Sequence, residues 1–221
     1  MTEALLTNDA FRGKVDVRNN DLSDLAALHL SKLFAKTSGY NVTQLKLGGN
    51  RFTSKAGEYL GEAISSNPNY PIKKVSFKGV CLELIGLTRM VQACNANSHI
   101  KKLEIGYLTD TGLRALAEQL VPNVGLEEII ICETEDSQKL WTAAARTAFL
   151  TLLKEHTKIK KVSLMSSRDQ TEEDKDFQKQ VKFYTDFKAT RQKAADNYRK
   201  ILSSCEPQHM FENMQKQIDL N

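Results

Sequence analysis

The feature that most constrains the fold is a short unit that recurs along the chain. Its clearest copy runs from Val42 to Ile64 and contains two different apolar periods. Apolar residues at strand spacing come first, and apolar residues at every fourth position, as in a helix, follow them. One strand, one turn and one helix therefore fit into one unit. A unit this short cannot bury its apolar face alone, so we expect the copies to stack on one another.

Six copies of the strand follow one another at intervals of 26 to 33 residues. Each copy contributes two apolar residues separated by one position: Val15/Val17, Leu45/Leu47, Val75/Phe77, Leu103/Ile105, Ile129/Ile131 and Val162/Leu164. Five of the strands are followed by a helical stripe whose second residue is small. The small residues include Ala56, Gly86 and Gly112, and the fifth stripe is predicted at Leu140, Ala144, Ala148 and Leu152. We expect each small residue to let its helix approach its own strand closely.

This pattern resembles leucine-rich repeats, in the long-repeat subclass that is similar to ribonuclease inhibitor. The best match to that consensus is carried by Leu45, Leu47, Asn50, Phe52 and Leu60. The resemblance implies an α/β solenoid, with a parallel curved sheet on the concave side and α-helices on the convex side. The turn asparagine recurs only at Asn20, and Val80 replaces it in the third unit. We therefore expect the middle turns to use other hydrogen bonds.

The 221 residues divide into three predicted parts. Residues 1–13 are expected to cap the first repeat. Residues 14–167 are expected to form the leucine-rich-repeat solenoid, with about five full units and a sixth strand. Residues 168–221 are expected to form a helical cap and extension, because the open end of a stacked core has to be covered.

The C-terminal part carries a long amphipathic pattern. Apolar residues recur at helical spacing from about residue 173 to 204, which predicts one helix roughly 45 Å long at ~1.5 Å per residue. Pro207 is expected to stop it. Its first half is rich in aromatic residues, among them Phe177, Phe183 and Phe187. We expect this half to dock on the repeats and the second half to project towards a partner; the alternative is that the whole helix folds back along the solenoid as a cap.

Three rows of side chains are predicted on the concave face, because strand residues alternate between the two sides of a sheet. The first row is Lys14, Gln44, Lys74, Lys102, Glu128 and Lys161. The second is Asp16, Lys46, Ser76, Glu104, Ile130 and Ser163, and the third is Arg18, Gly48, Lys78, Gly106, Cys132 and Met165. The lysines either keep the sheet face soluble, or guide an acidic protein segment towards an apolar anchor.

The candidate partner-binding residues lie on this face and on the distal part of the long helix. They are Lys14, Arg18, Lys46, Lys74, Lys78, Lys102, Ile130, Met165, Tyr198, Ile201 and Leu202. Nucleic acid is disfavoured as a partner, because the net charge is only +4 and acidic residues interrupt the rows. A protein partner with an acidic segment fits the pattern better.

The sequence carries none of the motifs that would indicate catalysis. The four histidines are isolated, and none pairs with a cysteine at metal-ligand spacing. There is no phosphate-binding glycine loop and no Gly-x-Ser-x-Gly elbow. We therefore expect no enzymatic activity, no cofactor and no metal. Scattered cysteines and the lack of an apolar run of ~20 residues predict a cytoplasmic chain that does not enter a membrane.

The leading functional hypothesis is a non-enzymatic protein-interaction module, an adaptor or scaffold, because repeat stacks present broad rigid surfaces. A second hypothesis rests on a similarity to tropomodulin-like proteins, which have a few such repeats followed by a C-terminal helix. That similarity implies binding to actin filament ends and a cytoskeletal role. A third is regulation of a small GTPase or another enzyme, as in Ran GTPase-activating proteins. A host-directed bacterial effector is a further alternative.

Overall fold

The computed structural model describes residues 12–34, 41–120, 125–132, 141–165 and 171–204. Within these ranges six strands form one parallel sheet in the order of the chain. The strands are β1 (Arg12–Asp16), β2 (Asn41–Lys46), β3 (Lys74–Ser76), β4 (Lys102–Ile105), β5 (Glu128–Cys132) and β6 (Lys161–Met165). The predicted α/β repeat fold with a parallel sheet is confirmed.

Five helices follow the first five strands and a sixth follows β6, and they pack against their neighbours in the same order. They are α1 (Asp24–Ser31), extended by a 3₁₀ turn (Lys32–Phe34), α2 (Ser54–Ser65), α3 (Glu83–Ala96), α4 (Asp110–Gln119), α5 (Ala143–Glu155) and α6 (Glu172–Ser204). None of the described helices is both long enough and apolar enough to span a bilayer. The predicted C-terminal helix is α6, and it begins within one residue of the predicted start.

The strand register confirms the first two predicted rows. Across the sheet, Lys14 aligns with Gln44, Lys74, Lys102, Glu128 and Lys161, and Asp16 aligns with Lys46, Ser76, Glu104, Ile130 and Ser163. The intervening apolar residues point into the core, where Leu45, Val75 and Leu103 are fully buried. Strand β1 already begins at Arg12, and the rest of the predicted cap at 1–13 lies outside the described residues.

The fifth helical stripe is shifted by one residue from the prediction. Ala144 is exposed, and Ala145 and Phe149 are fully buried in its place. Trp141 begins the observed stripe, and its indole Nε1 donates a hydrogen bond of 2.9 Å to the carbonyl oxygen of Leu108. The buried indole anchors the start of the unit to the previous repeat, and Ala145 and Phe149 follow it at intervals of four residues. Leu140, the predicted first member, lies outside the described residues.

The small residues of the three middle stripes are buried as expected, whereas Ala26 is only partly buried and Ala144 is exposed. The buried ones do not all serve the expected purpose. Ala56 is fully buried and Gly112 is buried. A Cβ atom on Gly86, however, would lie 2.5 Å from the carbonyl oxygen of Ser54 at the start of the preceding helix. A Cβ atom on Gly57 would lie 2.7 Å from the Cα of Gly86. These glycines therefore bring helices α2 and α3 together, rather than a helix and its own strand.

One asparagine organises the turns of the first two repeats. The Asn50 side-chain oxygen accepts hydrogen bonds from the main-chain N–H groups of Asn20 and Leu22, both 3.0 Å long. Its amide nitrogen donates to the carbonyl oxygens of Val17 (2.8 Å) and Leu47 (2.7 Å). In the third unit, Val80 takes the place of the asparagine. Its main-chain N–H donates a hydrogen bond of 2.9 Å to the carbonyl oxygen of Phe77. The middle turn thus uses another hydrogen bond, as predicted.

Candidate functional site

The cations of the first strand are paired on the sheet itself. We use "sheet face" for the strand side chains of the three rows. Lys14 Nζ lies 2.8 Å from Asp16 Oδ2. The Arg18 guanidinium binds the same carboxylate through two bonds, Nε to Oδ1 at 2.8 Å and Nη2 to Oδ2 at 2.9 Å. Two of the candidate partner-binding cations therefore share one internal counter-ion.

The cations of β3 to β6 form a continuous chain of ion pairs. Glu104 Oε1 lies 2.6 Å from Lys74 Nζ and 3.3 Å from Lys102 Nζ. The carboxylate of Glu128 lies 3.0 Å from Lys102 Nζ and 2.9 Å from Lys161 Nζ. Each carboxylate bridges two lysines: Glu104 links β3 to β4, and Glu128 on β5 links β4 to β6. This half of the sheet face is therefore largely neutralised by its own side chains.

The pKa values of Glu104 and Asp16 are lowered by the groups that pair with them. Burial alone would raise the pKa of Glu104, but hydrogen bonds from Lys74 and Ser76 outweigh it and lower the pKa. Hydrogen bonds from Arg18 and Lys14 hold the pKa of Asp16 well below its usual range. These hydrogen bonds stabilise the charged form of both carboxyl groups. The ion pairs are therefore intact at neutral pH.

Lys46 is a sheet-face lysine without such an ion pair. By register it lies between Asp16, which already binds two other cations, and the neutral, buried Ser76. Among the described residues, no carboxylate lies within salt-bridge distance of its ammonium group. Burial, together with repulsion from Lys14 and Lys74, lowers the pKa of Lys46. Uncompensated positive charge therefore remains on the first three strands.

The predicted apolar anchor is smaller than the sequence suggested. Ile130 is only partly buried, but Cys132 is 5% exposed and belongs to the core rather than to the surface. That burial raises the pKa of its thiol. Met165 aligns with Cys132 in the register, and its side chain lies outside the described residues. Among the described side chains of this anchor, Ile130 is the part that a partner could contact.

The first half of α6 docks on the last repeat. Phe177, Val181 and Thr185 are buried along one face of the helix. The Phe177 ring centroid lies 5.9 Å from that of Trp141 and 6.3 Å from that of Phe149. These aromatic contacts cover the open end of the stack, which is the role expected for this half of the helix.

Two charged side chains fix the position of this helix. The Arg146 guanidinium, on α5, lies 2.8 Å from Asp174 Oδ1 near the start of α6. Further along, the Lys188 ammonium donates hydrogen bonds to the main-chain carbonyl oxygens of Leu153 and His156. Carbonyl groups at the end of a helix lack partners within that helix. Lys188 thus donates hydrogen bonds to carbonyl groups at the C-terminal end of α5. Its burial there lowers the pKa of its ammonium group.

His156 is a core residue that the sequence did not distinguish. Its side chain is fully buried, and its Nδ1 accepts hydrogen bonds from the main-chain N–H groups of Lys158 and Ile159, each 3.3 Å long. Burial, together with repulsion from Lys188, lowers its pKa to about 4. It is therefore neutral at pH 7. Nor do the described ranges contain any group of His, Cys, Asp and Glu side chains that could hold a metal ion.

Not all aromatic residues of the first half of α6 dock, contrary to the prediction. Phe183 and Phe187 are 66% and 60% exposed. Positions 177, 181, 185 and 188 recur at helical spacing and share the docked face, whereas 183 and 187 fall outside it. The two rings border an open groove of about 450 Å³ between α6 and the end of α5. We call this the aromatic groove, lined by Lys154, Thr157, Phe183, Tyr184, Phe187 and Arg191 among others.

The distal half of α6 leaves the repeats. All side chains from residue 193 to residue 200 are exposed, and Tyr198 is 64% exposed. Ile201 and Leu202 continue the helix, and their side chains lie outside the described residues. Their predicted role in partner binding stays a prediction.

Comparison with known proteins identifies the fold through structure rather than sequence. No protein-family model matches the chain, and no curated protein matches it in sequence. Actin-binding site 2 of leiomodin-1 superposes with a TM-score of 0.59 and 14% identity, over 92% of this chain and 95% of that one. The tropomodulin C-terminal domain of Caenorhabditis elegans superposes with a TM-score of 0.55 and 10% identity, over 88% and 97%. The similarity shows that the chain has this leucine-rich-repeat-like fold.

Proposed function

We propose that this chain is a non-enzymatic protein-interaction module and that actin is the partner it fits best. The observation that carries the proposal is the extent of the match to leiomodin-1 actin-binding site 2, which spans 92% of this chain and 95% of that one. Repeats and long helix are matched together rather than one element alone. The broader role of an adaptor or scaffold is compatible with the same surfaces. No specific observation favours regulation of a small GTPase.

The structure supports an interaction role because its candidate surfaces are pre-organised. The sheet face is stiffened by ion pairs between adjacent strands, and α6 is anchored by Phe177 and Lys188. Little side-chain order then has to be gained on binding, which lowers the entropic cost of association. Assignment of the repeats to the ribonuclease-inhibitor-like subclass is part of this proposal and is supported by the Asn50 turn. A cytoplasmic location likewise remains a prediction.

Sedimentation with actin tests the proposal. The purified chain is incubated with actin filaments and pelleted, and binding to actin monomers is followed by fluorescence anisotropy of the labelled chain. We expect saturable binding to at least one of the two forms, with a Kd of about 10 µM or tighter. An absence of binding to both forms, in a chain that remains folded by circular dichroism, would overturn actin as the partner.

A pair of charge reversals then locates the contact. Lys46→Glu acts on the uncompensated part of the sheet face, and Lys55→Glu acts on α2, where Lys55 is exposed and 3.4 Å from Glu58. If the sheet face guides an acidic segment, Lys46→Glu should slow association and weaken its salt dependence. Lys55→Glu should leave both unchanged. Equal rates for wild type and both variants would assign the lysines of the sheet face to solubility.

A further inference from the structure

We propose that the aromatic groove is a docking site for an amphipathic helix of a partner protein, one that carries acidic residues beside its apolar face. The inference rests on the proposed protein-interaction role, but it does not depend on actin being the partner. Three properties of the groove support it: its exposed rings, its shape and its charge.

The exposed rings form a ridge on a rigid support. Phe183 and Phe187 lie one helical turn apart, so their side chains stand next to each other along α6. The Phe183 ring also packs edge-on against Tyr184, with centroids 5.6 Å apart. On an adjacent face of the same helix, Phe177 and Val181 are buried in the repeat core. The ridge is thus presented by a helix that is already held in place, which is typical of aromatic anchors at interfaces.

The shape of the groove fits a helix rather than an enclosed small molecule. Most of the lining comes from α6, Lys154 at the end of α5 and Thr157 complete it, and the space of about 450 Å³ is partly open to solvent. A groove between two helical elements can accept apolar side chains from positions i, i+4 and i+7 of a third helix. Two large exposed rings in one place also exceed the isolated apolar residues found on most surfaces.

The charge of the groove selects an acidic partner. Lys154 and Arg191 line it, and among the described residues neither has a carboxylate within salt-bridge distance. Lys188 adds positive charge at the base, although its ammonium hydrogens are directed to main-chain carbonyls. No Asp or Glu is among the described residues that line the groove. Carboxylates flanking an apolar stripe would therefore complement it.

Two synthetic peptides test this assignment with the full chain. Both are helix-forming and carry leucines at i, i+4 and i+7; one has glutamates beside the stripe and the other has lysines at the same positions. Binding of each labelled peptide is measured by fluorescence anisotropy. We expect the acidic peptide to bind at least about tenfold more tightly than the basic one, a difference of about 1.4 kcal/mol.

Variants locate that binding. F183A/F187A should weaken binding of the acidic peptide by about tenfold or more. The matched control is Tyr198→Ala, which removes an exposed aromatic residue from the same helix outside the groove. Lys154→Glu with Arg191→Glu should reverse the preference between the peptides. All substituted residues are surface groups, and a thermal melt confirms that each variant is folded.

Several results would overturn the proposal. They are weak binding of both peptides, equal binding of both, and insensitivity to F183A/F187A. If removal of residues 205–221 is required before the acidic peptide binds, the chain's own C-terminal segment is the occupant. If light scattering shows a dimer that F183A/F187A dissociates, a second copy is the occupant. None of these measurements contains actin, so their failure is distinguishable from failure of the sedimentation test.

Discussion

The sheet face and the aromatic groove present similar residue types with opposite consequences. On the sheet face, Lys74, Lys102 and Lys161 are held by Glu104 and Glu128. In the groove, Lys154 and Arg191 have no such partner among the described residues, and two phenyl rings beside them are exposed. The conspicuous lysine rows are thus mostly self-neutralised, and the less conspicuous groove is left with charge and apolar surface that no described part of the chain covers.

The difference shows that a binding surface depends on what neighbouring side chains leave unpaired. A lysine that already bridges two strands gains little from a further carboxylate, because an exchange of ion pairs near water yields a small net energy. An exposed aromatic ring gains its full burial energy from a partner. Lys46 resembles the groove cations, because Lys14 and Lys74 repel it and its row neighbours are a neutral serine and an aspartate that already binds two cations.

The largest expected effect separates the two sides of α6. Phe177→Ala removes a ring that is 4% exposed and packed against Trp141 and Phe149. We expect a loss of about 3–5 kcal/mol in the free energy of unfolding, measured by urea denaturation. Phe183→Ala is the matched control, and it should change the free energy of unfolding by no more than about 0.5 kcal/mol. Similar losses for the two variants would mean that Phe183 also packs on the repeats.

A smaller effect distinguishes the two regions by pH. The pKa of His156, at the end of α5, is lowered from 6.5 to about 4 in the folded protein. Below pH 6.5 the unfolded chain binds a proton that the folded chain does not, so stability falls as the pH drops towards 4, by about 3 kcal/mol at most. The sheet-face carboxylates affect stability at a lower pH. The pKa values of Glu104 and Glu128 are lowered from 4.5, so their contribution is lost only below about pH 4.5.

The substitution His156→Asn tests whether His156 causes the loss of stability between pH 6.5 and 4. Asn97 is fully buried at the equivalent place in the third unit, and its side-chain oxygen accepts a hydrogen bond of 2.9 Å from the His99 N–H. Asparagine can therefore replace the hydrogen bonds of His156 Nδ1 without a titrating group. Chemical denaturation of the variant between pH 6.5 and 4.5 should show a nearly constant free energy of unfolding. If the variant keeps the wild-type slope in this window, another group causes it.

The smallest expected effect compares two lysines of adjacent strands. Lys74→Gln leaves Glu104, whose side chain is 12% exposed, without its closest cation. We expect a loss of about 1 kcal/mol, since a partly buried carboxylate loses one charged hydrogen bond and keeps Lys102. Lys46→Gln should be neutral within about 0.5 kcal/mol or slightly stabilising, because it relieves repulsion between cations. Urea denaturation of both variants measures the difference. An equal loss of unfolding free energy in both variants would contradict the lack of an ion pair at Lys46.

Much of this fold was predictable from the sequence, because the relevant information is local. Two apolar residues at alternate positions define each strand, and a stripe at every fourth position defines each helix. The alignment of Lys14 with Gln44 and Lys74 followed from the repeats, because equivalent positions of stacked units face one another. The extent of the long C-terminal helix followed from its periodicity in the same way.

Other features depend on contacts between residues about 30 positions apart, which no local pattern contains. Trp141 donates a hydrogen bond to the previous repeat, at the start of a stripe that lies one position from the predicted one. Glu104 bridges lysines of neighbouring strands and removes them from the free surface. Lys188 reaches the end of α5, and the orientation it shares with Phe177 leaves Phe183 and Phe187 exposed. The sequence by itself determined the elements and their order, through short-range periodicity. Only the tertiary structure decided which side chains are paired or buried within the chain and which remain available to a partner, because that depends on how neighbouring units pack.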